Sequence, residues 1–211
     1  MKNILDVHHL SVAFGKKTIF DNLNYSIKPG QFVALTGSNG SGKSTFLKAI
    51  LSIISYKGHV HLNTESIGYL PQSYSIDRSF PITVEEYVEL ARRKASAIDS
   101  FDVYESCQIL NLKKSFLNEL SQGQFQKVLF ARSIVNQPQF LILDEPLSNI
   151  DEPTAVSLKN LLIELNKKGV TILLSIHDSK FVSEKCDQIL SLSQVDSGII
   201  DPCFHHSQEV D

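Results

Sequence analysis

Apolar residues along this chain follow two different repeats, and the repeats change at regular intervals. Short segments that are apolar throughout or at every second position predict β-strands. These segments are Ile4–Val12, Thr18–Ile27, Gln31–Thr36, His59–Leu62, Ile67–Leu70, Phe140–Leu143, Val170–Ile176 and Gln188–Leu192. Segments with helical spacing and capping signals predict helices at 43–54, 83–94, 101–110, 121–136 and 151–168, and a short one that reaches residue 185. Strands and helices alternate over most of the chain, which is typical of an α/β fold.

The region between residues 73 and 120 departs from this alternation. Thr83 and Glu86 have the spacing of a capping box, which predicts a helix to about Lys94. A second helix is predicted at Phe101–Leu110, so two helices follow one another without a strand between them. We therefore expect one domain with a core of residues 1–72 and 121–200, an inserted helical subdomain of residues 73–120, and a polar tail of residues 201–211.

Composition narrows the class of protein without identifying it. The 211 residues carry a net charge of −3, with 42% hydrophobic and 20% charged residues. These values are ordinary for a globular domain and give no basic field for nucleic acid. Cys107, Cys186 and Cys203 lack a C-x-x-C spacing, which favours reduced thiols in a cytosolic protein. No apolar run reaches 18 residues, so any membrane role is expected to depend on a partner chain.

A glycine-rich segment stands between an apolar strand and a helical pattern. It consists of Gly37, Ser38, Asn39, Gly40, Ser41, Gly42, Lys43, Ser44 and Thr45. This order of strand, loop and helix is the context of a phosphate-binding P-loop, in which backbone N–H groups and the helix N-terminus face an anion. Lys43 is placed to reach the β- and γ-phosphates, and Ser44 to bind Mg²⁺. The segment predicts binding of a nucleoside triphosphate.

Further polar residues stand at strand and helix ends in a fixed order. Gln72 follows a strand, and Leu120-Ser121-Gln122-Gly123-Gln124 opens a helix, with Ser121 and Gln124 at capping-box spacing. Phe140–Leu143 delivers Asp144 and Glu145 to the carboxyl edge of the sheet, where open α/β sheets bind ligands. His177 ends the following strand. A pair of acids at such an edge favours a functional site, because unpaired buried charge is costly.

Together with the P-loop, these features resemble the nucleotide-binding subunit of ABC (ATP-binding cassette) transporters over essentially the whole chain. The serine-led helix start makes the resemblance specific, because other P-loop proteins lack it. The resemblance implies a P-loop NTPase mixed-sheet core with an N-terminal antiparallel β-subdomain and an inserted helical subdomain. It also implies ATP and Mg²⁺ as cofactors and ATP hydrolysis as the activity.

Individual roles follow from the same resemblance. Asp144 is expected to hold the Mg²⁺ shell together with Ser44 and Gln72, and Gln72 also to sense the membrane partner. Glu145 is expected to polarise the attacking water as general base. His177 is expected to contact the γ-phosphate and orient that water. Lys43 completes the set of expected catalytic residues, which is therefore Glu145, His177, Lys43 and Gln72.

The helix that begins at Ser121 implies a composite site. In the family this element, here Ser121, Gly123 and Gln124, binds the ATP that is held by the P-loop of a second subunit, so two copies are expected to dimerise on ATP. Phe14 aligns with the aromatic residue that stacks on adenine. Gln122 replaces a family glycine, and this replacement introduces strain if a positive φ is required there and is harmless otherwise. We expect activity to be retained.

The cargo is less strongly indicated than the activity. Ile67–Leu90 is similar to the ATPases of bacterial zinc and manganese importers, through Asp77, Phe80-Pro81 and Thr83-Val84. This similarity implies integral membrane permease subunits, an extracytoplasmic solute-binding protein and a place at the cytoplasmic face of the membrane. A cassette for another cargo, such as a haem-exporter-like system, is an alternative. A nucleic-acid-handling ABC ATPase is disfavoured, because tandem cassettes, large insertions and basic surfaces are lacking.

Two groups of histidines invite a metal-binding interpretation. His59 and His61 share one face of a predicted strand, but the sequence offers no third ligand at sensible spacing. Cys203, His205 and His206 lie near the end of the chain, where a disordered polar tail is the preferred interpretation. At both places metal binding is therefore the less favoured interpretation.

Overall fold

A computed structural model describes residues 2–72, 80–93 and 101–192, together with the backbone of residues 203–206. Asp77 and the predicted helix end at Lys94 lie outside the described residues. The strands are β1 (Leu5–Phe14), β2 (Lys17–Ile27), β3 (Phe32–Thr36), β4 (Lys57–Leu62), β5 (Ile67–Leu70), β6 (Phe140–Asp144), β7 (Thr171–Ser175), β8 (Gln188–Ser191) and β9 (Cys203–His206). The α-helices are α1 (Lys43–Ile50), α2 (Val84–Glu89), α3 (Val103–Ser106), α4 (Gln122–Ile134), α5 (Glu152–Lys167) and α6 (Ser179–Lys185).

In the described part of the chain the strands form two sheets. The smaller sheet has the order β2-β1-β4 and is antiparallel. The larger has the order β5-β6-β7-β3-β8-β9, with parallel pairing from β5 to β8 and antiparallel pairing of β9 with β8. The predicted mixed-sheet α/β fold with an N-terminal antiparallel sheet is confirmed. None of the helices in these ranges has the length and hydrophobicity that a bilayer crossing requires.

The larger sheet has a buried core on each of its faces. Alternate residues of β3 show this directly, because Phe32 and Ala34 belong to one core cluster and Val33 and Leu35 to the other. Helices α2, α4, α5 and α6 cover the first face, whereas α1 and the antiparallel sheet cover the second. Strands β6 and β7 are buried along their whole length. Their carboxyl ends therefore lie in a fully buried part of the molecule.

The predicted capping box at the start of α2 is confirmed. The Thr83 backbone N–H donates to Glu86 Oε2 at 2.9 Å, and the Glu86 N–H donates to Thr83 Oγ1 at 3.3 Å. The helix ends at Glu89, earlier than predicted. Asn136 explains the difference, since its side chain donates to the Ala91 carbonyl at 2.7 Å and accepts from the Arg93 N–H at 2.8 Å. These bonds replace the backbone bonds that a longer helix needs.

Two other helices are also shorter than their sequence pattern indicates. Helix α3 covers only Val103–Ser106 of the predicted Phe101–Leu110, because Gln108 has a φ of 56° and leaves the helical conformation. Helix α1 ends at Ile50 because Ser52, with a φ of 55°, turns the chain before the predicted end at residue 54. In both cases a single left-handed residue ends the helix.

The end of the chain differs from the polar tail that we predict for residues 201–211. Residues Cys203–His206 form β9, and their pairing partners in β8 run from Gln188 to Ser191. Gln188 and His206 are partners at one end of this pairing. Part of the tail is therefore an edge strand of the larger sheet, and the expectation of disorder is wrong for these four residues.

Gly68 in β5 allows α4 to approach the sheet closely. A methyl group on Gly68 would lie 2.3 Å from the Ser133 carbonyl oxygen of α4, too close without a backbone shift. We expect Gly68→Ala to lower the free energy of unfolding by about 1–3 kcal/mol, the usual range for overpacking. Urea unfolding followed by circular dichroism measures this loss.

Gly15 is the matched control for that substitution. It has open space around its α-carbon but a φ of 59°, so Gly15→Ala introduces only the backbone penalty of about 1 kcal/mol. A loss at Gly15 that equals or exceeds the loss at Gly68 would contradict the close packing of α4 on β5.

Candidate functional site

The glycine-rich loop is shaped by its neighbours as well as by its glycines. Gly42 has a φ of 100° and is the N-cap of α1, where it supplies no side-chain hydrogen bond. A methyl group on Gly42 would lie 2.8 Å from the Phe20 ring. The first N–H groups of α1 are consequently left without a side-chain cap, and such a helix end attracts an anion. This geometry suits the predicted triphosphate site.

Lys43 lies inside the loop rather than in solvent. Only 5% of its side chain is exposed. The ammonium group donates to the carbonyl oxygens of Gly37 at 2.9 Å and Ser38 at 3.3 Å, and it lies 3.5 Å from Glu145 Oε1. A buried cation at the mouth of the anion site fits a role in holding phosphate oxygens.

Glu145 contacts the other three predicted catalytic residues. Gln72 Nε2 donates to Glu145 Oε2 at 2.9 Å, and His177 Nε2 lies 3.3 Å from Glu145 Oε1. Lys43 is the third contact. Glu145 also has a φ of 49°, an uncommon conformation for a residue other than glycine. The carboxylate is therefore held by groups from three separate segments, each of which the sequence singled out.

Asp144 occupies a more buried position than Glu145. It is 1% exposed, and its Oδ1 atom lacks a hydrogen-bond partner. Burial raises the pKa of Asp144 above its usual value and the charge of Glu145 adds to the rise, whereas Ser44, Ser175 and Lys48 oppose it. A buried carboxylate oxygen that lacks a partner but has the Ser44 hydroxyl beside it suits the oxygen shell of a hard cation.

A metal ion at this edge would depend on the nucleotide for part of its shell. Within the described ranges, no group of three or more His, Cys, Asp or Glu residues is arranged to hold a metal ion. Mg²⁺ is typically bound by one or two carboxylates together with substrate phosphates and water. Asp144 and Ser44 fit that pattern. The pair formed by His59 and His61 remains a stacked pair with ring centroids 6.4 Å apart.

The helix start at Ser121 has the predicted capping box. Ser121 Oγ accepts from the Gln124 N–H at 3.2 Å, and Gln124 Oε1 accepts from the Ser121 N–H at 2.9 Å. A methyl group on Gly123 would lie 2.6 Å from Asp151 Oδ1, so this glycine allows contact with the start of α5. In the described structure, Ser121 and Gln124 bond to each other and not to the P-loop of the same chain.

Gln122 does not introduce the strain that a positive φ would cause. It is the first residue of α4 and has helical backbone geometry, so the harmless alternative holds. Phe14 lies at the end of β1, opposite Lys17, and is 56% exposed. An exposed ring at this position is free to stack on a base, as the sequence predicts.

Sequence reasoning assigned no role to Asp178 or Lys159, which lie beside the site. Asp178 caps α6 by accepting from the Phe181 N–H at 3.1 Å, and it also accepts from Lys159 Nζ at 2.8 Å. These contacts fix the residue that follows His177. Ser148 Oγ donates to the Glu145 carbonyl at 2.8 Å. The Asp before a helix is a readable capping signal, whereas the Lys159 contact links two elements and leaves no local pattern.

The buried charge of Asp144 predicts an unusual gain in stability on substitution. Because its pKa is raised in the folded state, ionised Asp144 destabilises the fold at neutral pH, and acidification through the folded pKa removes that penalty. We expect Asp144→Asn, without nucleotide or metal, to raise the free energy of unfolding at pH 7 by about 1 kcal/mol. The difference should shrink as the pH falls, which urea unfolding at several pH values measures.

Asp178→Asn is the control, for which we expect the opposite change in the free energy of unfolding. The Lys159 ammonium group and then the Phe181 N–H hold the pKa of Asp178 below its usual value. The stability that Asp178 provides is therefore present above its unfolded-state pKa and lost as the pH falls through its folded-state pKa. We expect Asp178→Asn to lower stability at pH 7. Equal signs for the two variants would contradict the assignment of Asp144 as a destabilising buried charge.

Comparisons with known proteins agree with the fold and show the family. The family model described as ABC transporter matches residues 20–148. The zinc import ATP-binding protein ZnuC of Mannheimia succiniciproducens is 33% identical over 194 residues, covering 90% of this chain and 73% of that protein. ZnuC of Cereibacter sphaeroides is 34% identical over 194 residues, covering 90% and 79%. A solved metal-chelate type ABC transporter in an inward-facing conformation has a TM-score of 0.81 at 26% identity, covering 98% of this chain and 84% of that chain.

Proposed function

This chain belongs to the ABC transporter family, and from that premise we propose that it is the ATP-hydrolysing subunit of an importer of divalent metal ions, with zinc as the first candidate. The observation that carries the proposed hydrolysis is the convergence of Lys43, Gln72 and His177 on Glu145. The ZnuC relatives, at 33% and 34% identity over 90% of the chain, support zinc as the cargo.

Binding of ATP begins at the P-loop. The uncapped N–H groups of α1 and the Lys43 ammonium group meet the phosphates, and the exposed Phe14 ring stacks on the adenine. Ser44, Asp144 and Gln72 are the residues that would hold Mg²⁺. When bound, Mg²⁺ neutralises the charge on the β- and γ-phosphate oxygens. The polar groups that this chain buries without partners at the site support such a ligand shell.

Glu145 is the proposed general base. Without nucleotide its carboxylate lies 3.5 Å from the Lys43 ammonium group and also contacts the side chains of Gln72 and His177. Phosphate binding draws Lys43 toward the phosphates and frees the carboxylate to accept a proton from the attacking water. His177, which is fixed through Asp178, orients that water from the other side. The base thus becomes active only after ATP occupies the loop.

A second copy of the chain completes the site. The start of α4 at Ser121 has the N–H groups and the hydroxyl needed to bind a phosphate, but it is engaged in its own capping box rather than with the P-loop of the same chain. We propose that two copies close on two ATP molecules and separate after hydrolysis. Permease subunits at the cytoplasmic face of the membrane transmit this motion, and an extracytoplasmic protein delivers the metal ion.

Purification of the chain together with the membrane subunits that bind it, followed by a transport assay in liposomes, tests the proposal. The liposomes enclose MgATP and a zinc-sensitive dye, and a zinc-loaded binding protein is added outside. We expect the fluorescence of the dye to increase as zinc enters. Zinc uptake without ATP would contradict the proposed coupling of transport to ATP. ATP hydrolysis that responds to another cargo such as haem, and not to zinc or manganese, would contradict the proposed cargo. Absence of ATP hydrolysis in every condition would contradict the proposed activity itself.

A further inference from the structure

Two buried oxygen atoms on neighbouring strands lack hydrogen-bond partners. They are Tyr69 Oη on β5 and Asp144 Oδ1 on β6. The Ser175 hydroxyl, on the next strand β7, lies beside Asp144 and lowers its pKa. Native proteins leave few buried polar atoms unsatisfied, and two of them on neighbouring strands indicate an ion or ordered water that the protein atoms alone do not supply.

The strand register places the three side chains on the same face of the sheet. Tyr69 pairs with Ile142, and Asp144 follows Ile142 by two residues, so Tyr69 and Asp144 point to the same side. Asp144 itself pairs with Ser175. With a rise of about 3.3 Å per residue and about 4.8 Å between strands, positions two residues apart on neighbouring strands are separated by about 8 Å, a distance that two long side chains can close. Tyr69 and Asp144 therefore lie on one face of two neighbouring strands, two register positions apart.

Apolar surroundings explain why the Tyr69 hydroxyl lacks a hydrogen-bond partner. The ring packs against the apolar core cluster that contains Ile142 and Phe140. A phenylalanine would satisfy this packing without burying a hydroxyl. The hydroxyl therefore adds nothing that the described structure uses, although removing it from water costs free energy.

We propose that Tyr69 is a positioning residue of the metal–nucleotide site, where its hydroxyl oxygen accepts a hydrogen bond from a water in the shell of the divalent cation held at Asp144. A metal-bound water has two O–H groups, and Asp144 accepts from one while Tyr69 accepts from the other. Both orphaned oxygens then gain a partner at once. This inference rests on the proposed function, since the cation arrives with ATP.

The first test is the stability of the chain without nucleotide or metal. Tyr69→Phe removes only a hydroxyl that lacks a partner, so we expect its melting temperature in EDTA to equal or exceed that of the wild type. Tyr25→Phe is the control, because the Tyr25 hydroxyl donates to Gln188 Oε1 at 3.2 Å and its loss should lower the melting temperature by about 3 °C. A comparable drop in Tyr69→Phe would overturn the proposal by showing that the hydroxyl serves the fold itself.

The second test measures the metal ion directly. Mn²⁺, which reports its bound state by electron paramagnetic resonance, is titrated into protein saturated with a non-hydrolysable ATP analogue. We expect Tyr69→Phe to weaken Mn²⁺ binding about 5-fold, the effect of one lost hydrogen bond, and to leave the affinity for the analogue in EDTA unchanged. Tyr25→Phe should change neither. Unchanged Mn²⁺ affinity in Tyr69→Phe would overturn the proposal.

The same titration separates this inference from the proposed function. Wild-type protein that binds the analogue and Mn²⁺, with a Tyr69→Phe variant that binds both equally well, leaves the ATPase function intact and removes only the role of Tyr69. Wild-type protein that binds no ATP analogue, with or without metal, contradicts the proposed function first and the role of Tyr69 with it.

Discussion

Glu145→Gln is expected to reduce the rate of ATP hydrolysis by about 10²–10⁴-fold, the usual contribution of a general base, while ATP binding is retained. Glutamine keeps the shape of the side chain and its contacts with Gln72 and His177, but it accepts no proton at neutral pH. Because Lys43 also loses its ionic partner at 3.5 Å, the ammonium group becomes more available to phosphate. Phosphate release gives the rate, and equilibrium dialysis with labelled ATP gives the affinity.

The same variant should trap the state that precedes hydrolysis. If two copies close on ATP, Glu145→Gln with MgATP is expected to elute as a dimer in size-exclusion chromatography, and the wild type as a monomer once ATP is consumed. Glu164→Gln is the control, since Glu164 is an exposed carboxylate on α5 and its replacement should leave both properties unchanged. Near-normal turnover by Glu145→Gln would show that another group takes the proton.

Local sequence patterns were sufficient to predict the parts of the structure that local bonds define. The capping boxes at Thr83 and Ser121 require only residues three positions apart, and both are present. Asp151 caps α5, and Gly169 follows its end with a φ of 91°. These signals predict where helices begin because the capping hydrogen bonds close within one turn of the chain.

Helix ends were harder to predict because distant residues or unusual backbone conformations determine them. Helix α2 stops where Asn136, about 45 residues further along the chain, takes over the hydrogen bonds of Ala91 and Arg93. Helix α3 stops before the left-handed Gln108. Neither contact follows from the apolar stripe of the helix itself. The pairing of β9 with β8 is likewise a long-range contact, in a segment whose composition is typical of a disordered tail.

In the candidate site, too, the sequence indicates which residues matter but not how they contact one another. The sequence singled out Glu145, Lys43, Gln72 and His177 individually, but it gave no distances between them. The structure shows that three of these side chains contact the fourth. Tyr69 looks like an ordinary strand residue in the sequence, because only the absence of a partner for its hydroxyl distinguishes it. Residue roles that depend on an unsatisfied atom have no signature in the sequence.

A mixing experiment tests whether each catalytic site is built from two chains. Lys43→Ala removes the cation of the P-loop, and Ser121→Arg blocks the helix tip that closes the partner's site. We expect each variant alone to lose at least about 100-fold in ATP hydrolysis. In an equal mixture, half of the dimers are mixed and each contains one intact site, so activity should return to about a quarter of the wild-type value.

The matched control combines two variants whose defects lie in the same half of the site. Lys43→Ala mixed with Glu145→Gln leaves every site with a damaged P-loop or a missing base, since Lys43 and Glu145 contact each other within one chain. No activity should return in this mixture. Restoration in the first mixture and not in the second requires Ser121 to act across the dimer. Failure of both mixtures, with mixed dimers visible by chromatography, would place Ser121 and Lys43 in one chain's own site, a position that the Ser121 capping box argues against.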